Sequence, residues 1–254
     1  MSLGQHLVEL RKRLFWAAAA VLAGTAGGWF LYDLVWPMLQ APIKHIGKTS
    51  HDAIINFTSV TGAFDIRMQI AFTIGIVVSS PIWLYQIFAF VVPALNRREK
   101  KYVFAFIFSA IPLFLIGCGV GWIVFPHMIE LMSSFVPQGS ASFYDAKYYL
   151  DFVLKLVIVV GIGFELPVFL VLLNFIGVVS AKGILKGWRW AVLAIVVFTA
   201  IATPAADISS MLLLALPMTV LYFVAIGIAV IHDRQLAKRR AAEEQQLDVA
   251  AAAG

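Results

Sequence analysis

The stretch YYLDFVLKLVIVVGIGFELPVFLVLLNFIGVV occupies residues 148–179 and decides the class of fold. It holds 32 residues, of which only Asp151, Lys155 and Glu165 are charged. About 20 apolar residues in a helix cross the roughly 30 Å hydrocarbon core of a bilayer. The stretch therefore predicts a transmembrane helix that is long enough to tilt or bend and that carries one carboxyl group near its middle.

The whole chain has the composition of a polytopic α-helical membrane protein. Of its 254 residues, 61% are hydrophobic and 13% are charged, against about 45–50% and about 25% in soluble domains. The single cysteine, Cys118, lies in an apolar run, so no disulfide is implied. The net charge of +5 indicates loops that face anionic lipid head groups, and not a nucleic-acid-binding surface.

Apolar runs along the chain predict six transmembrane helices in one domain, residues 1–233. The runs are Leu14–Trp36, Met68–Val92, Tyr102–Ile129, Tyr148–Val179, Trp188–Ala202 and Ile208–Ile231. The 37–67 connection is the longest, and we expect short interfacial helices in it. Residues 234–254 form a cytoplasmic tail, which its charged and then Ala-rich composition predicts to be disordered.

Basic residues fall in bands that orient the chain. Fourteen of the 19 lysines and arginines lie in four clusters, at 11–13, 97–101, 182–189 and 234–240. Segments rich in Lys and Arg stay cytoplasmic, so every second connection and both termini are predicted to be cytoplasmic. The first cluster precedes an apolar run, as in a secretory signal peptide, but that run continues to Val35, which favours an uncleaved first helix.

The predicted helices are uneven in length and shape. The fifth has 15 residues and is therefore about 22 Å long, shorter than the roughly 30 Å hydrocarbon core. Proline within a helix removes a backbone donor and kinks the helix, and the runs contain Pro81, Pro112, Pro167 and Pro217. Short and kinked helices favour a concave arrangement over a regular bundle.

Glu165 is the candidate site within the membrane. An ionised carboxylate at a helix centre costs roughly 2.5–3.5 kcal/mol on insertion scales, so such a residue faces protein or water, or is protonated. One interpretation is a neutral acid bonded to a neighbouring helix, and the other is a polar anchor for a partner helix or a wet groove. Asp151 and Lys155 form an i, i+4 pair on the same helix face, which suggests the lining of a water-accessible cavity.

Two acids in basic surroundings are the cytoplasmic candidates. The segment HLVELRKRL at residues 6–14 has the apolar spacing of an amphipathic interfacial helix. Glu9 lies in this segment, and Glu99 lies in the second basic cluster. Each acid either pairs with a neighbour, as Glu9 would with Arg13 at i, i+4, or both bind a ligand that carries two guanidinium groups. The spacing leaves both interpretations open.

Other chemistry finds little support in the sequence. Asp207 ends the connection 203–207 and predicts a cap on the sixth helix. The histidines have no metal-ligand spacing, no glycine-rich phosphate loop is present, and no nucleophile–base pattern stands out. We therefore expect no cofactor and no enzyme activity.

Several motifs together resemble the TatC family, the multispanning receptor subunit of the twin-arginine protein translocase. The residues that carry the resemblance are HLVELRKRL at 6–14, PIWLYQIFAF at 81–90, PAL at 93–95 with Glu99, FELP at 164–167, and TP at 203–204 with Asp207. The resemblance extends to about His232 and implies a six-helix, glove-shaped fold in the inner cell membrane with both ends cytoplasmic. It also implies recognition of paired-arginine signal peptides on folded cargo, with transport driven by the proton-motive force and no nucleotide.

The resemblance also implies roles for cytoplasmic residues. Glu9 and Glu99 match the acids that bind the two arginines of the signal. Phe90 matches the family's aromatic residue beside that loop, Arg11 matches its N-terminal basic position, and Leu95 lies in the matching loop motif. These five residues form the predicted signal-peptide site.

Further roles implied by the resemblance lie in the membrane and on the external side. Glu165 matches the intramembrane acid that contacts the single-span partner subunits TatA and TatB, and Pro42, Phe64 and Asp207 match the external cap. Self-association in the complex is expected as well. The residues alone leave two other functions open: a proton-coupled small-molecule transporter with Glu165 as its relay, and a membrane scaffold or insertase without signal recognition.

Overall fold

A computed structural model describes residues 3–49, 53–91, 100–137, 140–203 and 207–253. Helices dominate these residues, and two short strands join them. In chain order the elements are α1 (Leu3–Thr49), β1 (Ala53–Asn56), α2 (Gly62–Val78), α3 (Ser80–Val91), α4 (Lys100–Ser134), β2 (Ser142–Asp145), α5 (Ala146–Phe175), α6 (Ala181–Lys186), α7 (Trp188–Ala202) and α8 (Ile208–Ala253).

Every predicted apolar run is helical over most of its described residues. Four helices within the described residues are long and apolar enough to cross a membrane, and the α2–α3 pair makes a fifth if it is one bent span. The α7 helix is apolar but shorter, and its bounds are those predicted from the sequence. A polytopic helical membrane protein is therefore confirmed.

The α1 helix is longer than predicted. It begins at Leu3, includes the amphipathic segment, and continues through Pro37 and Pro42 to Thr49. The expected short interfacial helices are thus replaced, over 37–49, by an extension of α1. Leu39, Ile43 and Ile46 are buried in the core, and their i, i+4, i+7 spacing places them on one helical face. Packing of this face keeps the helix continuous although prolines disfavour a helix interior.

The second predicted helix is divided by a sharp bend. The α2 and α3 helices meet at Ser79 with an angle of 57°. Pro81 causes the break because it has no N–H and its ring clashes with the carbonyl four residues earlier. The indole Nε1 of Trp83 donates a hydrogen bond of 2.8 Å to the carbonyl oxygen of Ile76, which satisfies one acceptor at the end of α2.

Glycines allow two helix pairs to approach closely. A Cβ built on Gly24 of α1 would lie 2.7 Å from the carbonyl oxygen of Gly75 in α2. A Cβ built on Gly117 of α4 would lie 2.9 Å from Cα of Gly161 in α5. Small residues at helix interfaces are typical of membrane proteins, in which close backbone packing holds helices together.

A parallel pair of strands joins the two connections predicted to be external. Ala53 to Asn56 of β1 pair with Ser142 to Asp145 of β2. The side chain of Asp145 caps α5, accepting 3.0 Å hydrogen bonds from the backbone N–H groups of Lys147 and Tyr148. It also accepts a hydrogen bond of 2.6 Å from the Thr58 hydroxyl. One carboxylate thus ties both connections to the start of α5.

The C-terminal ends of α5 and α8 differ from the predictions. The α5 helix ends at Phe175, four residues before the predicted end, because Gly177 takes a left-handed conformation with φ of 81°. The predicted disordered tail at 234–254 is wrong over its described part, since α8 continues as one helix to Ala253. Ala, Glu, Gln, Lys and Arg are strong helix formers, and a helix already nucleated by the apolar run extends through them at little cost.

Candidate functional site

The amphipathic start of α1 packs against α3 and brings two predicted site residues to one region. The ring of His6 stacks on that of Phe90 with centroids 4.4 Å apart. Arg13 donates from Nε and Nη2 to one oxygen of Glu9, Oε1, at 3.1 and 2.7 Å. Its Nη1 lies 3.5 Å from Oε1 of Gln86 on α3. Arg13 therefore links the Glu9 carboxylate to the helix that carries Phe90.

The predicted pairing of Glu9 with Arg13 is confirmed, and it leaves part of the carboxylate available. Both hydrogen bonds from Arg13 end on Oε1, and Oε2 of Glu9 has no partner among the described residues. The Glu9 side chain is 23% exposed, so solvent and ligands reach it. Arg11 is exposed on the same helix. Leu95 and Glu99 lie outside the described residues.

Sequence reasoning gave no role to two residues of this region, His6 and Gln86. Both belong to the motifs that carry the family resemblance, and each has a signal in the sequence. Gln86 is a polar residue within the apolar run 81–92, and His6 opens an amphipathic segment. Their contacts depend on how α1 crosses α3, which spacing within one helix does not define.

Glu165 is buried in the middle of α5. Its side chain is 3% exposed, and neither carboxylate oxygen makes a hydrogen bond of good geometry within the described residues. The backbone of Phe114 on α4 does approach the carboxyl group, so the expected bond to a neighbouring helix is reduced to this one weak contact in the described part of the chain. Lys155, predicted to share its stripe, pairs with Asp151 at 3.2 Å and is 72% exposed, so the three residues do not line one open surface.

Apolar grooves flank the turn of α5 that follows Glu165. One groove, of about 390 Å³, lies between α4, α5 and α8 and is lined by Leu113, Pro167 and Leu221 among others. The other, of about 370 Å³, lies between α5, α7 and α8 and is lined by Pro167, Phe198 and Met218 among others. Pro167 belongs to both grooves, so the proline two positions after Glu165 separates two apolar surfaces.

The residues predicted for the external cap are placed in three different surroundings. Pro42 is buried within α1. Phe64 at the start of α2 is 60% exposed and meets the ring of Trp29 at a tilted angle, with centroids 6.0 Å apart. Asp207 is buried, and its Oδ1 accepts a 2.8 Å hydrogen bond from the backbone N–H of Ser210. That bond is the predicted cap at the start of α8.

One further cluster near Phe64 was not predicted. The guanidinium group of Arg67 lies 4.7 Å from the ring centre of Trp29 and 4.8 Å from that of Tyr32. Its Nη2 also lies 3.6 Å from the Asp33 carboxylate. These cation–π contacts and the ion pair attach α2 to α1 near the glycine contact of the two helices.

Within the described residues, no three His, Cys, Asp or Glu side chains are grouped as metal ligands. The candidate site therefore has two parts: the Glu9 carboxylate, whose Oε2 has no partner among the described residues, on the helix that packs against Phe90, and the buried Glu165 carboxyl, which precedes the turn that the two apolar grooves flank. Both suit the binding of peptide segments: the first matches a guanidinium next to an apolar side chain, and the second matches a membrane helix.

The family model described as Sec-independent protein translocase protein (TatC) matches residues 5–217. The chain belongs to the TatC family. A TatC-family relative from Xylanimonas cellulosilytica, a Sec-independent protein translocase protein TatC, is 43% identical over 242 residues, which are 95% of this chain and 88% of the relative. One of the same name from Rothia mucilaginosa is 37% identical, covering 98% of this chain and 86% of the relative.

Solved structures agree with the TatC assignment. A crystal structure of the twin-arginine translocase receptor TatC in DDM superimposes with a TM-score of 0.74 at 29% identity, over 88% of this chain and 99% of that one. A second crystal structure of TatC gives a TM-score of 0.70, over 89% and 98% of the two chains. This TatC-family chain is thus a multi-pass component of a Sec-independent protein translocase and not an enzyme.

Proposed function

We propose that this chain is the receptor and core subunit of a twin-arginine translocase in the inner cell membrane. It binds paired-arginine signal peptides of folded cargo and assembles with TatA- and TatB-type subunits and with further copies of itself for export driven by the proton-motive force. In this proposal α1, the bent α2–α3 pair, α4, α5, α7 and α8 are six crossings in a glove-shaped arrangement, and both termini are cytoplasmic.

The second oxygen of Glu9, Oε2, which has no partner among the described residues, carries the proposal for signal binding. A carboxylate has about four lone-pair sites and accepts two guanidinium groups through its two oxygens. Arg13 occupies Oε1 and is held by Gln86, so it stays in place while Oε2 accepts an arginine of the signal. Glu99 is the second proposed carboxylate, and Arg11 and Leu95 complete the site.

Phe90 supplies the apolar part of the proposed signal site. His6 now covers its ring, with the two planes 26° apart. A ring pair of this kind contributes about 0.5–1.5 kcal/mol beyond burial, so an apolar signal residue displaces it at moderate cost. The site then offers charge neutralisation and an aromatic surface side by side.

Peptide binding to the detergent-purified chain tests the receptor proposal. A twin-arginine peptide should bind more tightly than the same peptide with two lysines, because a guanidinium presents its N–H donors in a fixed planar fork and can direct two of them to one oxygen, as Arg13 does to Oε1. Glu9→Gln should remove about 1.5–3 kcal/mol, the range for hydrogen bonds to charged groups. Glu244→Gln, in the exposed tail, is the matched control and should bind as the wild type does. Equal binding of both peptides by wild type and Glu9→Gln would contradict the proposal.

Partner assembly is proposed at Glu165 and the two grooves beside it. A buried carboxyl without a partner is unfavourable, and a donor on an incoming membrane helix would satisfy it. The apolar grooves on both sides of Pro167 accept the rest of such a helix. Single-span subunits of the TatA and TatB type have the required form.

Co-purification with co-expressed partner subunits tests this part independently of signal binding. Glu165→Leu removes the acceptor while keeping the groove apolar, and we expect loss of the partner with retention of twin-arginine peptide binding. Glu130→Leu, an exposed acid at the far end of α4, is the control. Unchanged partner recovery with Glu165→Leu would show that the buried carboxyl is not the anchor.

A further inference from the structure

A basic depression lies where α6 meets α7. It has a volume of about 460 Å³ and is lined by Lys182, Leu185, Lys186, Trp188 and Arg189. Three of these five residues are cations, and no acid is among them. The depression therefore concentrates positive charge next to an indole ring and an exposed leucine.

The short α6 helix is held in a defined position, which makes the arrangement of its lysines specific. The Ser180 hydroxyl accepts a 3.2 Å hydrogen bond from the N–H of Gly183 and caps the helix. Asp233 of α8 accepts a 2.8 Å hydrogen bond from the N–H of Ala181. With α6 fixed at its N-terminus, Lys182 and Lys186 lie at i, i+4 on one face of it.

The cations of the depression are available to a ligand. None of the three forms an ion pair with an acid in the part of the chain that the structure describes. The guanidinium carbon of Arg189 lies 5.7 Å from the ring centre of Trp188, a contact that orients the group and leaves its N–H donors free. Asp233 does not line the depression, and Asn174 and the N–H of Ala181 already occupy its oxygens.

An exposed apolar stripe runs along α7 away from this depression. Trp190 and Ile201 are 74% and 80% exposed, and Leu193 and Val197 between them are about half exposed. The spacing 190, 193, 197 and 201 places all four on one helical face. The twelve residues from first to last are separated by eleven steps and cover about 17 Å, close to half of the roughly 30 Å hydrocarbon core. The length of the stripe is therefore close to the thickness of the hydrocarbon layer of one leaflet.

We propose that the depression binds the head group of an anionic phospholipid whose acyl chains lie along the α7 stripe. The phosphate is placed among the two lysines and Arg189, and Trp188 lies at the level where indole rings favour the membrane interface. Basic clusters beside a membrane attract anionic lipids in general. A defined depression next to a stripe one leaflet long makes a more specific prediction, namely that the lysines lining the depression are required for lipid binding. The inference is independent of the proposed signal and partner sites.

Lipid binding to the delipidated full-length chain in detergent tests the inference. Native mass spectrometry would compare phosphatidylglycerol with phosphatidylcholine of identical acyl chains. We expect preferential retention of phosphatidylglycerol, which K182Q/K186Q weakens about tenfold or more. K182R/K186R should restore it. R234Q/K238Q removes two charges from the exposed start of the tail, and its lipid binding should equal that of the wild type. Inorganic phosphate at the lipid concentration should not compete.

Several outcomes would overturn the inference. Wild-type retention of phosphatidylglycerol by K182Q/K186Q would show that the depression is not the site. An equal loss in both double variants would show a diffuse attraction to net charge. Competition by inorganic phosphate would identify a phosphate site without a role for the acyl chains. Melting temperatures of all variants in lipid-free detergent separate these outcomes from misfolding, and the arginine variant keeps the test valid if the glutamine variant unfolds.

Discussion

The contact between α1 and α2 leads to a quantitative prediction. A Cβ at Gly24 would lie 2.7 Å from the carbonyl oxygen of Gly75 and 3.0 Å from its Cα. Both are backbone atoms, so no change of rotamer relieves the clash and the two helices must move apart. Gly27, nearly one turn later in the same helix, has no atom within 4 Å of its built Cβ and provides a matched control.

The expected size of the effect follows from two opposing contributions. Forcing a methyl group into a packed contact costs about 1–3 kcal/mol. Alanine is better than glycine in a helix by about 1 kcal/mol at either position, so the difference between Gly24→Ala and Gly27→Ala isolates the clash. In a chain of this size 1 kcal/mol changes Tm by about 2–4 °C. Gly24→Ala should therefore unfold about 2–12 °C below Gly27→Ala.

The chain contains its own reporter for this measurement. Cys118 is the only cysteine and is buried, so a thiol-reactive fluorescent dye labels it as the protein unfolds in detergent. Labelling curves of both variants against temperature give the two midpoints. Equal midpoints would refute the close packing of α1 on α2 at Gly24.

Two further predictions concern the ends of helices. The hydrogen bond from Thr58, followed by that from the N–H of Tyr148, lowers the pKa of Asp145. A lowered pKa means that the carboxylate stabilises the fold above its unfolded value of about 3.9, and that this contribution is lost as pH falls through the folded value. Tm should therefore fall below about pH 4 in the wild type, and less so in Asp145→Asn. Asp207→Ala removes the cap on Ser210 and should cost about 0.5–2 kcal/mol, measured as a lower Tm, whereas Asp207→Asn should retain most of it.

Periodicity and run length predicted the helices well where the chain crosses the bilayer. The bounds of α7 agree to the residue because charged and turn-forming residues flank a uniform apolar run. The α2–α3 bend was less visible, although Pro81 marks it, since a proline near a helix end either starts a new helix or kinks the old one. Which outcome occurs depends on partners such as the Trp83 indole, which bonds to Ile76.

Elements that depend on contacts between residues far apart in the chain were not predicted from the sequence. The strands β1 and β2 have four residues each, too few for a periodic signal, and they pair across about 90 positions of the chain. The extension of α1 past its prolines depends on the core it enters. The tail was misjudged because composition alone does not reveal that a preceding helix is available to extend.

The site shows the same division between local and non-local information. The Glu9–Arg13 pair followed from i, i+4 spacing. That both bonds use one oxygen, and that Gln86 holds the same arginine, follows only from the crossing of α1 and α3. For Glu165 the sequence left open a bond to a neighbouring helix and a wet groove; the structure instead buries its side chain without a hydrogen bond of good geometry among the described residues.

The lack of a well-formed hydrogen bond distinguishes Glu165 from the acids at the start of α5 and in its first turns. Asp145 accepts three hydrogen bonds that fix the start of the helix. Asp151 accepts one from Gln69 of α2 and pairs with Lys155. These acids stabilise the fold, and their bonds explain their positions. Glu165 has only the weak approach of the Phe114 backbone and no hydrogen bond of good geometry among the described residues. A buried polar group that the fold satisfies so poorly calls for an explanation, and the proposed anchor for a partner's membrane helix would supply one.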